Sequence, residues 1–355
     1  MDFVKVTGFQ IFRYSLPFKK PYSFKGRILE LRDGALLKLT TDAGIHGFGE
    51  AAPLPGVSAE NVDDAIRDLQ GLKPVLLDGV LPESWGRFTL CPSVRFAVEA
   101  AVLNLFSNTA NATPARMLES SSPSRVDVNA LLEGPLTELI EQTVDLINQG
   151  FTVFKLKVGS GNLMQDVEKV QALSDILHNQ GVLRLDANQS WSYEQALAFV
   201  QKIPIGEIEY FEEPFAETAR IPEFFKHTQI PVALDESLWK KPELEFPKVG
   251  LAAIVIKPTL IGGLERSLEW IEKARKAGIK AVISSTFESG VGISMLVNLA
   301  AGSRQPGLAF GFDTLKWFAE DLLRAPISIE NGSLRVGPGI KDESQLNMKF
   351  LSEVA

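Results

Sequence analysis

From Val126 onward the chain alternates short apolar strands with amphipathic helices, and this alternation constrains the fold more than any other feature. Strands are predicted near Val126–Leu131, Thr152–Lys157, Leu183–Asp186, Ile208–Glu212, Val232–Asp235, Ala253–Lys257, Ala281–Ser284 and Leu308–Asp313. The clearest helices between them are Leu136–Ile147, Leu163–Leu177, Tyr193–Ile203 and Leu264–Ala277. Successive strands begin about 20 to 30 residues apart, the length of one βα unit. Eight such strands predict a TIM-type barrel, although an open doubly wound sheet has the same local pattern.

The stretch before Val126 is different. Val4 to Leu16 is strand-like, and Pro17-Phe18-Lys19-Lys20-Pro21-Tyr22 is marked as a loop by its Pro and Lys content. Ile28–Leu31 and Ala35–Thr40 flank Arg32-Asp33-Gly34, a hairpin signal. A second hairpin passes through Asp42-Ala43-Gly44 into Gly47-Phe48-Gly49-Glu50. Ser58 is positioned to cap a helix starting at Ala59, and another helix starts near Pro92-Ser93. This is an α+β pattern. Near the end, Ile327–Ile329, Asn331-Gly332 and Leu334–Val336 read as a hairpin that returns to the N-terminal region.

Composition narrows the function. The net charge of -8, without a block of basic residues, argues against a nucleic-acid partner. No run of about 18 apolar residues is present, so no membrane span is expected, and Met1-Asp2-Phe3-Val4-Lys5 does not begin a secretory signal. Cys91 is the only cysteine, which excludes an intrachain disulfide and fits a cytoplasmic protein. The three histidines, His46, His178 and His227, have no metal-ligand spacing. Acid/base chemistry would fall to lysines and carboxylates.

Such groups collect at the C-terminal ends of the expected strands, where barrel active sites are built. Lys155 and Lys157 lie two apart on one strand and so share a face. Asp186, Glu212 and Asp235 end the next three strands, and Lys257 ends the one after. Three converging carboxylates need a cation among them. Oxygen ligands without His or Cys favour Mg²⁺, with Mn²⁺ a close substitute. A divalent ion there can hold a small-molecule carboxylate and stabilise the charge formed when the adjacent carbon loses its proton. Lys157 is then the candidate base, Lys155 the neighbour that tunes it, and Lys257 an opposing acid/base or electrostatic clamp. Arg184 and Asn188 share the Asp186 face as candidates for substrate contact; Arg184 either steers an anionic substrate or pairs with Asp186. A non-catalytic binding barrel predicts loss of one of these groups, and all are present. Oligomeric state is not legible.

At these residues the chain resembles the enolase superfamily, in its muconate lactonizing enzyme subgroup. Lys155-Leu156-Lys157 matches the Lys-x-Lys motif, Asp186, Glu212 and Asp235 match the three metal ligands, and Lys257 matches the opposing lysine. The resemblance implies a modified (β/α)7β barrel over residues 116–325, an α+β capping domain over 1–115, and a C-terminal segment, 326–355, returning to the cap. Within the subgroup the likeness is to the o-succinylbenzoate synthase family. It is carried by Gly49-Glu50-Ala51-Ala52-Pro53-Leu54-Pro55-Gly56-Val57-Ser58, Pro92–Ala97, Leu183–Asn188, Asp235-Glu236-Ser237-Leu238, Val255–Leu260, Ser284–Gly290 and Gly311-Phe312-Asp313-Thr314. It implies a syn dehydration of 2-succinyl-6-hydroxy-2,4-cyclohexadiene-1-carboxylate, with Lys157 moving the proton and Lys257 staying cationic. Ser284, Ser285, Ser289 and Gly290 would bind the succinyl carboxylate. Segments Pro17–Gly26 and Pro53–Val57, with Pro55 and Gly56 at a tip, would close over the barrel mouth. N-succinylamino acid racemases and dipeptide epimerases use the same scaffold and are the alternative.

Overall fold

Seven strands pair in parallel and strictly in chain order: Ala130–Leu132, Val153–Lys157, Val182–Asp186, Ile208–Glu212, Val232–Leu234, Leu251–Ile256 and Lys280–Ile283. A doubly wound sheet would reverse its strand order partway, so the order decides for a barrel. Residues 308–313 close it. Phe310 bridges in parallel to Val128 on one side and Gly311 to Ser284 on the other. These coordinates are a computed structural model, which describes residues 5–24, 27–77, 88–241 and 243–354. Of the stretches singled out from the sequence, Met1–Val4, Lys25 and Gly26 lie outside the described residues.

Strand alternation sorts the side chains. In Val153–Lys157, Phe154 and Leu156 are buried in the layer between strands and helices, while Lys155 and Lys157 face the barrel axis and are only part-buried. Burying a side chain such as Phe154 contributes roughly 1.5–3 kcal/mol, so a one-residue slip that turned the lysines outward would be strongly opposed. Helix starts are fixed locally. Asn162 caps Leu163–Leu177, and Ser192 with Gln195 forms a capping box on Tyr193–Val200.

A separate antiparallel sheet, in the order Leu351–Val354, Val6–Phe24, Arg27–Thr41, His46–Ala51, forms the cap. Helix Pro92–Thr109 presses on its last strand. A Cβ at Gly49 would lie 1.8 Å from the Ala97 carbonyl oxygen, so only glycine fits there. Among the described residues no helix is long and apolar enough to cross a membrane.

Several local expectations change. Arg32-Asp33-Gly34 is not a hairpin turn: Arg27–Thr41 is one continuous strand, with Arg32 opposite Leu16 and Asp33 opposite Ser15. Residues 17–22 are not a loop: the first strand continues to Phe24, with a register shift between Pro17 and Tyr22. Pro17 there accepts a bond from Ala319 N, and Phe18 bridges to Phe318, which carries the strand over the barrel mouth. Ser58 does not cap a helix. Asn61 does, for Val62–Leu77, and Ser58 Oγ instead accepts from Leu54 N, which tightens the 54–58 turn. The Asn331-Gly332 turn forms with both φ angles positive, but Ser333–Arg335 pairs with Arg125–Asp127 rather than with the cap. The first expected barrel strand is therefore two pieces, and Leu351–Val354 is the C-terminal strand that joins the cap sheet.

Candidate active site

Parallel register aligns the strand ends. Lys157 pairs with Asp186 and Asp186 with Glu212 as Cα partners, while Glu212 faces Ala233, two residues before Asp235. The Lys155 ammonium lies 2.7 and 2.8 Å from the two Glu212 oxygens and 2.9 Å from Asp186 Oδ2. Lys157 Nζ donates to Asn188 Oδ1 at 2.7 Å and sits 3.2 Å from Asp186 Oδ2. Asn188 is itself held by Glu236, which accepts from its Nδ2 at 3.0 Å. Lys257 hydrogen-bonds Asp235. Asn188, Gln189 and Glu213, with positive φ, make the sharp turns that leave these side chains on the rim.

The electrostatics follow from burial. Burial opposes a charge on Asp186, but the ammonium groups of Lys155 and Lys157 outweigh it and hold this carboxyl well below its usual range. Burial, then the Asp186 charge, pushes Glu212 up to about 8. Both touch Lys155, yet they move in opposite directions, because Asp186 also has Lys157 and Glu212 does not. Burial works against the charge on Lys155 as well; Asp186 and Glu212 override it and keep it cationic. Lys257 is likewise held cationic against burial, chiefly by Asp235.

Among the described residues no three His, Cys, Asp or Glu side chains are drawn together closely enough to hold a metal ion. Lys155 lies against Glu212 and Asp186, Lys157 against Asp186, and Lys257 against Asp235. The donor set nevertheless fits a hard divalent ion. Asp235 Oδ1 is buried without a hydrogen-bond partner, and Glu212 is a fully buried carboxyl beside another carboxylate.

The lysines open on a chamber of about 80 Å³. Lys155, Lys157, Asp186 and Lys257 form one side; Ser284, Ser285, Thr286 and Phe287 another; Tyr22 and Leu54 from the cap close it. A larger hollow of about 690 Å³ lies beyond Asp313, but none of Lys155, Lys157, Asp186 or Lys257 reaches it. The chemistry therefore belongs to the small chamber.

Several expected substrate contacts are placed otherwise. Arg184 is 1% exposed and pairs with Glu209, not Asp186; it also donates to Asn129 and the Ala309 carbonyl and lies over the Tyr210 ring. It is spent beneath the site rather than open to a ligand. Ser289 N and Oγ both donate to Glu50, and Gly290 N donates to Asp321, so cap and loop carboxylates already fill that nest. Ser284 and Ser285 do line the chamber, with Ser285 Oγ 2.8 Å from Thr314 Oγ1. Leu54, not Pro55 or Gly56, faces inward; those two are exposed on the outside of the turn.

Other groups escaped the sequence reading. Tyr22, whose hydroxyl donates to Glu133, lies in the 17–26 stretch expected over the barrel mouth but was not singled out there as a site residue. Glu236 directly follows Asp235, and that adjacency was the available signal. Glu213 accepts from Asp235 N, Ser237 N and Ser237 Oγ, and burial pushes its carboxyl up to about 7.

A capped barrel with a Lys-x-Lys strand, three strand-end carboxylates and an opposing lysine defines a class of acid/base enzymes. Residues 138–340 match the family described as Enolase C-terminal domain-like, and residues 6–105 match MenC, N-terminal domain. The chain is 33% identical over 338 residues to the o-succinylbenzoate synthase of Haemophilus influenzae, covering 90% of this chain and 93% of that one. It is 30% identical over 345 residues to Protein PHYLLO, chloroplastic, of Arabidopsis thaliana, covering 84% of this chain but spanning only 20% of that relative's length. Among solved structures, the dipeptide epimerase of Enterococcus faecalis complexed with Mg and the dipeptide L-Leu-L-Tyr superposes with a TM-score of 0.79 at 20% identity, covering 95% of this chain and 98% of that one. The chain belongs to the enolase superfamily and is an enzyme of the lyase class.

Proposed function

We propose that this enzyme is an o-succinylbenzoate synthase of menaquinone biosynthesis. It would dehydrate 2-succinyl-6-hydroxy-2,4-cyclohexadiene-1-carboxylate to 2-succinylbenzoate. The observation that carries the reading is the presence of Lys157 and Lys257 in one closed chamber beside Asp186, in a chain whose N-terminal region matches MenC.

Lys157, as the neutral amine, takes the proton alpha to the ring carboxylate, and the electron pair moves into that carboxylate as an enediolate. The resulting ammonium gives its proton to the hydroxyl on the same face. The C–O bond breaks, water leaves and the ring becomes aromatic. Asn188, held by Glu236, fixes where the Lys157 amine points. Lys155 stays cationic on Glu212 and Asp186, on the same strand face as Lys157. Lys257 stays cationic on Asp235 and stabilises the enediolate through its charge. Asp186, Glu212 and Asp235 would hold Mg²⁺, with Mn²⁺ a possible substitute. The ion would supply Lewis-acid stabilisation of the substrate carboxylate. Ser284 and Ser285 are the candidates for the succinyl carboxylate. Ligand sites usually occupy roughly 300–1,000 Å³. The 80 Å³ chamber must therefore widen, with 17–24 the cap segment that would move. A small-molecule substrate and the single Cys91 fit a cytoplasmic enzyme.

The test is the ultraviolet change on adding the cyclohexadiene to pure enzyme with Mg²⁺. Lys157→Ala should lose about 10²–10⁴-fold in kcat while substrate still binds. An inert wild-type protein would sink the reading. The likeness to a dipeptide epimerase favours one second reading, 1,1-proton transfer on an N-acylamino acid or dipeptide. Exchange of deuterium from D₂O into such a substrate, lost in Lys257→Ala, would select it.

A further inference from the structure

Arg32 is a buried cation that takes no part in the proton transfer described above. It is 1% exposed, within the strand Arg27–Thr41 and opposite Leu16. All five guanidinium N–H donors are used, and every acceptor is a neutral backbone carbonyl. Nε donates to Phe287 O at 2.9 Å; Nη1 donates to Asp33 O and Pro53 O, both at 2.8 Å; Nη2 donates to Ala52 O at 2.5 Å and Thr286 O at 3.4 Å. Desolvating a charge against neutral acceptors is costly, and an apolar residue of that size would join two packed surfaces at less expense. What an apolar residue cannot do is fix two loops in register.

Those two loops carry the chamber wall. Ala52 and Pro53 lead into Leu54, and Thr286 and Phe287 face it from the barrel; Leu54, Thr286 and Phe287 all line the chamber. Phe287 holds a φ of 61°, which is unfavourable for a bulky residue, and that turn presents its carbonyl to Arg32 Nε. The guanidinium is planar and presents donors in three directions. An ammonium has three donors on one atom and cannot span both loops.

We propose that Arg32 is a positioning residue that sets the shape of the substrate chamber by locking the Leu54 loop of the cap to the Phe287 loop of the barrel. As a claim about substrate it rests on the dehydratase reading; the clamp itself does not.

The experiment compares wild type with Arg32→Lys and Arg32→Met, by steady-state kinetics on the cyclohexadiene and by amide hydrogen exchange. In both variants KM should rise at least tenfold, with kcat within about threefold of wild type. Exchange should quicken together in 52–58 and 285–288, while the helix Gly290–Gly302, capped independently by Glu50, keeps its protection. A purely structural role would lower stability and leave the KM of the folded fraction unchanged, and that result overturns the proposal. So does a loss confined to kcat. If wild type does not turn over the cyclohexadiene, the dehydratase reading fails while the exchange arm still decides the clamp. Should neither Arg32 variant fold, Leu54→Ala removes what the clamp holds and leaves Arg32 in place. A KM raised at least fivefold supports the proposal, and an unchanged KM refutes it.

Discussion

Replacing Lys155 with methionine tests the electrostatic account of the site most directly, because one ammonium neutralises two buried carboxylates. Its side chain is 13% exposed, and Glu212 and Asp186 are each 1% exposed, so screening by water is slight. Removing one member of a buried pair costs about 3–5 kcal/mol. Two features place this case near the lower end. Asp186 keeps Lys157 at 3.2 Å, and Glu212, already pushed up to about 8, can take a proton instead of remaining a bare anion. The expected loss at pH 7 is therefore about 3 kcal/mol, read from urea unfolding in EDTA. The sign with pH follows. Without Lys155 the folded-state Glu212 binds its proton more tightly than the unfolded chain does. The cost is then small below the ordinary glutamate range and grows as pH rises through neutrality. Repeating the titration with millimolar Mg²⁺ should recover much of the loss, since a bound cation replaces the missing charge. A loss under about 1 kcal/mol, or one that neither pH nor Mg²⁺ changes, would refute the claim that Lys155 neutralises these two carboxylates.

Two further outcomes follow from the cap–barrel contacts. Glu99 accepts from the N–H groups of Leu264 and Glu265, and burial pushes its carboxyl up to about 7 from an ordinary 4.5. A raised carboxyl pKa means stability present at low pH and lost between those values, on the order of 3 kcal/mol. Glu99→Gln should thus match wild type near pH 4.5 and exceed it above pH 7, and unfolding curves with a pH-independent difference would contradict this. Glu50 accepts from Tyr14 OH, Ser289 N, Ser289 Oγ and Gly292 N. Glu50→Ala leaves four buried donors and should destabilise by about 3–5 kcal/mol, whereas Tyr14→Phe, which removes one donor, should cost about 1 kcal/mol. Equal losses in the two variants would show that the carboxylate is not the hub.

The placement of the site's lysines and carboxylates was largely legible in one dimension. Lys155 and Lys157 share a face because strand side chains alternate with period 2, which is a property of the local backbone. Asp186, Glu212, Asp235 and Lys257 end consecutive apolar strands, and parallel strands in chain order bring their ends to one rim. The same rule misplaced Arg184. It does lie on the Asp186 face, but one layer deeper, and its partner Glu209 is known only once neighbouring strands are registered.

By itself, then, the sequence determined the alternating strands and helices, the strand-end carboxylates and the paired lysines, because each depends on periodicity along the chain; closure into a barrel was decided by the order in which the strands pair. Tertiary structure decided which donors remain for a ligand. Ser289 and Gly290 look like an open nest, yet Glu50, 239 residues earlier, and Asp321 occupy it. Pro55 and Gly56 look like a lid tip, yet Leu54 is what faces the lysines. Arg32 looks like a hairpin charge, yet it joins the 52–53 loop to Phe287, 255 residues beyond Arg32 itself. A hydrogen-bond donor is spent on whichever acceptor the folded domains bring within about 3 Å, and no local pattern records that distance.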